Sequence, residues 1–414
     1  MIRTPSSPSI PPTAPAGKPQ AAAAPRAAAA PSPAPVRMDV DELFIGTTPP
    51  ASASNPPGGR TASDVRRDAE TLWLIAKPVQ PTDGFRTTLR DGRDANSPGN
   101  APLAKQQLAS NAPLEQATLA KLDAAQKVAY EHIKAQTEQD PAARLALQVL
   151  LIEGKLIGAP LADDGKTLLQ TLDRLASEPI HASLKRGELV SDLLQEIALP
   201  SIINQHNKGT CTVSTLQILM ALTQPAEYAR IVAGLASPQG SVNLANGDAI
   251  LREPGTETAD GTRRTASARL WQASLMEYGN GDKTNYDNAK DVHVETGGQG
   301  LGQTGVQRVL SGLIDGKPRL LDIGEHPAGQ IDAFKDSMLA TIRQSANGGS
   351  PVPVALRWGK PDAQGKIHGV HEILVTRIAD DQVYFSNPWG TEDRMALTDL
   401  KKRIIFSNVL PTSG

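Results

Sequence analysis

The first sixty residues hold too little apolar surface to fold, which confines any core to the remainder of this 414-residue chain. Fourteen of its 33 prolines precede Arg60, interleaved with alanine and serine. Phe44 is the sole aromatic residue there, and no acidic residue comes before Asp39. Such a stretch cannot offset the entropy of ordering its backbone. Residues 1–63 are therefore expected to be a disordered Pro/Ala/Ser-rich tail. It reads either as a flexible spacer or as a leader exported unfolded. Within it, Val40, Leu43, Phe44 and Ile45 make one short apolar run, a docking strand for a partner or chaperone or an inert spot.

From Asp64 the pattern turns helical. Asp64–Ala76 reads as a short helix. Leu119, Leu122, Ala125, Ala129 and Ile133 form one stripe and predict a helix over 113–136. Asp140 before Pro141 is an N-cap followed by proline at the first helical position. That helix repeats at Leu145, Val149, Ile152 and Leu156. Leu168, Leu172 and Leu175 give another stripe, closed by Pro179. Residues 64–180 read as a helical region: a substrate-docking module, a pro-segment over a cleft, or scaffold.

Composition excludes several classes. Aromatic residues are only 3% against 39% hydrophobic, so the core is aliphatic and alanine-rich. A net charge of −2 offers no basic excess for nucleic acid or acidic lipid. The single cysteine permits no internal disulfide and suits a reducing compartment. No apolar run reaches the roughly 18 residues of a membrane span, and no secretory apolar segment follows Met1. A soluble chain outside the general signal-peptide route is expected. Gly297–Gly302 lacks the Lys-Ser/Thr pair and preceding strand of a phosphate loop; it is expected to line a cleft. Asp282, Asp287 and Asp291 lack the spacing of a calcium loop. No metal or cofactor is expected.

Three separated fragments carry chemistry. Gln205-His206-Asn207-Lys208-Gly209-Thr210-Cys211 places a glutamine six residues before the sole thiol. His371 opens an apolar β-rich run through Ile373, Leu374, Val375 and Ile378, with His368 as the competing histidine. Asp380-Asp381 reads as a turn and Val383, Tyr384 and Phe385 as the return strand, which brings Asn387 of Asn387-Pro388-Trp389-Gly390 beside His371. Strands are expected at 352–358, 371–378, 383–386 and 403–409. Val213, Leu216, Leu219 and Met220 recur at helical spacing after Cys211. A thiol at a helix N-terminus is biased toward thiolate, and a nearby imidazolium adds to that bias. His371 is the candidate base, Asn387 its orienter, and the Gln205 amide with the Cys211 N–H the oxyanion donors. Gly209 would let the loop turn between those donors. Trp389 would shield the His–Asn bond from water.

The order and spacing of these residues resemble papain-like cysteine peptidases, over roughly the last half of the chain. The Asn-Pro-Trp-Gly tetrapeptide is similar to the calpain-like branch, as is the helical run Leu270-Trp271 through Leu275 to Glu277. The resemblance implies an α+β, papain-like two-lobe fold over 181–414, with Cys211 on a helical lobe and His371 and Asn387 on a β-rich lobe. It implies a cysteine peptidase acting on protein or peptide amides through an acyl-enzyme. Thr212 departs from the tryptophan usual after the nucleophile, and His206 from a common glycine. These departures leave room for a deamidase, transglutaminase or isopeptidase. A non-catalytic interaction protein is the other class. The acid-free N-terminus resembles the leaders of bacterial type III secreted effectors, implying a secretion chaperone as partner and action in a host cytosol; the alternative is a cytoplasmic protein.

Overall fold

Polar caps set where the first helices begin. The computed structural model describes residues 60–79, 84–92, 100–281, 284–314 and 316–410. The expectations for residues 1–59, among them the run at 40–45, lie outside these, as does Asp282. Thr61 and Asp64 form a reciprocal capping box that opens α1 (Ala62–Trp73), satisfying N–H groups the first helical turn leaves open. The chain then leaves helical geometry, earlier than the expected Ala76. It runs as an antiparallel pair, β1 (Leu74–Val79) and β2 (Arg86–Gly92). The region 64–180 therefore contains strands as well as helices.

The single helix expected over 113–136 is two. Pro113 lies inside α2 (Asn100–Leu119), and a box between Asp123 and Gln126 starts α3 (Ala124–Ala135) afresh. The apolar stripe crosses that turn unbroken, which is why periodicity alone joins the two. Asp140 caps α4 (Pro141–Ile152) by accepting from the Ala142 and Ala143 N–H groups. Thr167 and Gln170 box the start of α5 (Leu168–Ser177). Next come α6 (Arg186–Ala198), α7 (Cys211–Thr223), α8 (Pro225–Ala236), α9 (Ala266–Asn280) and α10 (Gln303–Leu313). Segments 237–266 and 280–304, which their Gly, Asn, Asp and Thr content marks as loops, hold two small hairpins. These are β3 (Ser241–Asn243) with β4 (Ala249–Leu251), and β5 (Tyr286–Asp287) with β6 (Val292–His293).

The C-terminal half supplies most of one sheet: β7 (Arg319–Asp322), β8 (Val352–Trp358), β9 (Gly369–Ala379), β10 (Gln382–Asn387), β11 (Thr391–Ala396) and β12 (Ile404–Val409). Two further helices, α11 (Ile331–Asn347) and α12 (Leu397–Arg403), fall between these strands. The order is β1-β2-β11-β10-β9-β8-β12-β7, and neighbours pair antiparallel. Asp380 and Asp381 take φ of 50° and 56° and turn β9 into β10, the left-handed pair a two-residue hairpin requires.

Strand alternation divides the core. Leu374 and Ala355 join the large cluster built by the helices, including Leu216, Leu219 and Trp271. Ile373, Val375, Val354 and Leu356 point the other way, against Met338, Ile342 and Leu400 of α11 and α12. Strands β8 and β9 are thus buried on both faces, which is why they read as continuous apolar runs. The fold is α+β: helices on both faces of a large antiparallel sheet.

Candidate active site

The sheet places His371 and Asn387 on neighbouring strands. Their side chains meet at 2.9 Å, His371 Nε2 to Asn387 Oδ1, in a buried bond. Which way that amide points is decided behind it. The Asn387 Nδ2 group lies 2.9 Å from Asp393 Oδ2 of β11, and Asp393 Oδ2 is paired with Arg86 Nη1 of β2 at 2.5 Å. An ionised carboxylate only accepts hydrogen bonds, so Nδ2 must face Asp393 and Oδ1 must face the imidazole. The Nε2 atom of His371 therefore donates, and Nδ1 is the basic nitrogen of the neutral ring.

Aromatic rings close over this pair. Trp389 stacks on His371 with centroids 4.2 Å apart and planes 15° apart, and Trp358 packs at 4.6 Å and 58°. The Arg86 guanidinium lies 5.3 Å from the Trp358 ring centroid and 6.0 Å from that of Trp389. Burial, with a smaller push from the Arg86 charge, lowers the His371 pKa to about 4; the Asn387 bond opposes this only in part. The imidazole is neutral at pH 7. His368, by contrast, is exposed and pairs with Asp362 at 2.7 Å.

Cys211 opens α7, which packs across β9. The backbone N–H of Glu372, the residue that follows His371, acts on the Cys211 sulfur in the direction that favours thiolate. Among the described residues no hydrogen bond joins the sulfur to the His371 ring. Burial first, and the Glu372 charge second, push the thiol up to about 11, outweighing the N–H groups that favour thiolate. At pH 7 both groups are neutral, a thiol and an imidazole, not the ion pair a helix N-terminus alone suggests.

The loop before Cys211 is stitched to the turn after Asn387. The Gln205 N–H donates to the Pro388 carbonyl at 2.7 Å, and Asn204 Nδ2 to the Trp389 carbonyl at 2.9 Å. The Gln205 side chain is buried; Nε2 donates to the Lys208 carbonyl at 2.6 Å, leaving its second N–H for another acceptor. The left-handed residue in this loop is His206, with φ 53°, not Gly209. Space is tight at Gly209 instead: an added Cβ would sit 3.3 Å from both Asp291 Oδ2 and Gln299 Cβ.

The middle of the chain, which periodicity leaves as surface loops, braces this site. Asp291 accepts the Gly209 N–H at 2.7 Å, the Tyr286 hydroxyl at 2.7 Å and Gln299 Nε2 at 3.2 Å. Lys208 buries its ammonium against the Asn288 carbonyl at 2.6 Å. Arg264 reaches Asn288 Oδ1 at 2.8 Å. The glycine-rich segment passes this loop, and a Cβ added at Gly300 would sit 3.6 Å from the Gly209 carbonyl oxygen. Behind α7, Trp271 Nε1 donates to the Val213 carbonyl at 3.0 Å. Arg86, Trp358, Asp393 and Asp291 all escape sequence reading. The one available signal is that Arg86, Asp393 and Asp291 are charged residues in weakly patterned segments, whereas Trp358 closes the apolar run of β8.

Among the described residues there is no cluster of three metal-ligating side chains, and no helix is long and apolar enough to cross a membrane. No family model, curated protein or solved structure matches the chain.

Proposed function

We propose that this chain is a thiol-dependent hydrolase of protein amide bonds with a papain-like two-lobe arrangement. Cys211 is the nucleophile, His371 the base, Asn387 its orienter and Gln205 an oxyanion donor. The observation that carries the reading is the buried succession Arg86–Asp393–Asn387–His371, which fixes one tautomer of His371 on the strand against which Cys211 is held. A structural histidine needs no such determined orientation; a base does.

The chemistry follows from the neutral resting pair. As the Cys211 sulfur attacks a substrate carbonyl carbon, its proton passes to His371 Nδ1 and the C=O electrons move to oxygen. The Cys211 N–H and the free Gln205 N–H bind that oxyanion. Collapse expels the amine, which takes the proton from His371, and leaves a thioester. Water then gives a proton to His371, attacks the thioester and releases the acid and the thiol. Desolvation makes the ion pair costly at rest, so proton transfer accompanies attack rather than preceding it. Deamidation, transglutamination and isopeptide cleavage share the thioester and differ in the amide that enters and the nucleophile that resolves it. The acid-free, proline-rich N-terminal sequence supports delivery of this activity as a type III-like effector.

Because Cys211 is the only thiol, loss of labelling in Cys211→Ala is guaranteed and decides nothing. The test is His371→Ala. An epoxide or vinyl-sulfone peptide probe should label wild type at pH 7 at least about 100-fold faster than this variant, the span of general-base assistance. His368→Ala should label like wild type. Equal rates for wild type and His371→Ala, both folded, would end the catalytic reading.

A further inference from the structure

The carboxyl of Glu372 stands against the nucleophile, and the mechanism above does not use it. Glu372 lies opposite Ala355 of β8, and its carbonyl accepts the Thr215 hydroxyl at 3.1 Å, which ties it to α7. Strand alternation sends its side chain to the face it shares with Leu374, the face that α7 covers. Glu372 is 2% exposed, and its Oε1 has no hydrogen-bond partner among the described residues.

Few groups face this carboxyl. From α7 come Cys211 and Thr212; β8 contributes only Ala355 opposite; the preceding His371 is bonded to Asn387. Among the described residues no cation acts on it. The Thr212 hydroxyl interacts with both the Glu372 carboxylate and the Cys211 sulfur. One O–H donates to one acceptor at a time. A thiolate and a carboxylate here would compete for that donor and repel each other through a medium that screens poorly.

We propose that Glu372 shares a single negative charge with Cys211, so that the nucleophile ionises readily only while the Glu372 carboxyl is protonated. This rests on Cys211 being the reactive thiol. Ionised Glu372 holds Cys211 as a thiol; neutral Glu372 leaves the Thr212 hydroxyl free to donate to sulfur. Glu372 acts through Cys211 and is a positioning residue. Burial raises its pKa to about 7, which sets the exchange in the neutral range.

The single thiol makes the test direct, since alkylation by iodoacetamide, a neutral reagent, reads Cys211 alone whatever reaction it catalyses. In the full wild-type chain the logarithm of the rate should rise with pH, flatten above about pH 7 as Glu372 ionises, then rise again. Glu372→Gln should match wild type at pH 6, lack the flat step, and react about tenfold faster at pH 9. An unbroken wild-type profile overturns the proposal, and so does a variant-to-wild-type ratio that is constant with pH. The wild-type profile decides even where the variant fails to fold. Turnover that survives in Cys211→Ser would sink the catalytic reading without altering this readout.

Discussion

At the scale of single residues, one buried carboxylate determines which nitrogen of His371 carries the proton. Asp393→Asn removes the charge that holds Arg86 and replaces an acceptor-only carboxylate with an amide that can present either its N–H or its C=O to Asn387. Breaking a buried pair by neutralising one partner typically costs about 3–5 kcal/mol. We expect urea unfolding to show a loss near the lower figure, because Arg86 keeps some exposure. Nitrogen chemical shifts of His371 should show mixed tautomers in the variant and a single one in wild type. Within the site, two groups make opposed contributions to the pH dependence of stability. His371 has its pKa lowered to about 4, so the unfolded chain binds the extra proton and stability falls as pH drops from about 6.5 to 4. Glu372 has its pKa raised to about 7, so the folded chain binds the extra proton and stability falls as pH rises from about 4.5 to 7. Glu372→Gln deletes the second part alone. Above pH 7 the variant should be more stable than wild type by on the order of 2–3 kcal/mol, and below pH 4.5 the gain should vanish. An equal gain at both ends of a denaturation series from pH 4 to pH 8 would show that burial, not charge, sets the difference.

At the scale of elements, the strands that were legible are those buried on both faces. β8, β9 and β10 announce themselves through Val, Ile, Leu and Phe, and the two aspartates between β9 and β10 mark their turn. Helix α7 was equally plain after Cys211, because it is buried almost all round. What stayed hidden is polar. β11 reads Thr-Glu-Asp-Arg-Met-Ala and β2 reads Arg-Thr-Thr-Leu-Arg-Asp-Gly, neither an apolar run. Their charged residues are spent on each other and on the site, and such pairings leave no periodic trace. The same holds for the brace at Asp291, made of hydrogen bonds between segments too short to show a period. The meeting of His371 with Asn387 was legible from order and spacing; the groups that orient them were not. The hidden strands yield a prediction. A chain beginning at residue 100 lacks α1, β1 and β2, and so lacks Arg86 and the strand that pairs with β11. It should aggregate or lose cooperative unfolding. A folded, probe-reactive truncation would show that β2 is only a decoration of the sheet.

At the scale of the whole molecule, every residue of the proposed site lies at Arg86 or later. Removing residues 1–59 should leave the thermal midpoint and the probe-labelling rate of the purified protein within experimental error of wild type. Under the effector reading, the same deletion should stop delivery into a recipient cell. A rise in labelling on deletion would instead make the segment an inhibitor of its own enzyme. The remainder of the chain closes on itself late. Arg86 and Asp393 are 307 positions apart, and at about 5–20 residues per second a ribosome needs roughly 15–60 s to make the second after the first. Throughout that interval the outer edge of β2 has no partner strand, and its arginines and threonines keep it soluble and poor at recruiting other chains. A nascent polypeptide that already displays its thiol still lacks the imidazole, its amide and the carboxylate behind them. Cys211 is therefore synthesised well ahead of His371, and the hydrogen-bonded succession that orients this ring forms only after Asp393 has been made.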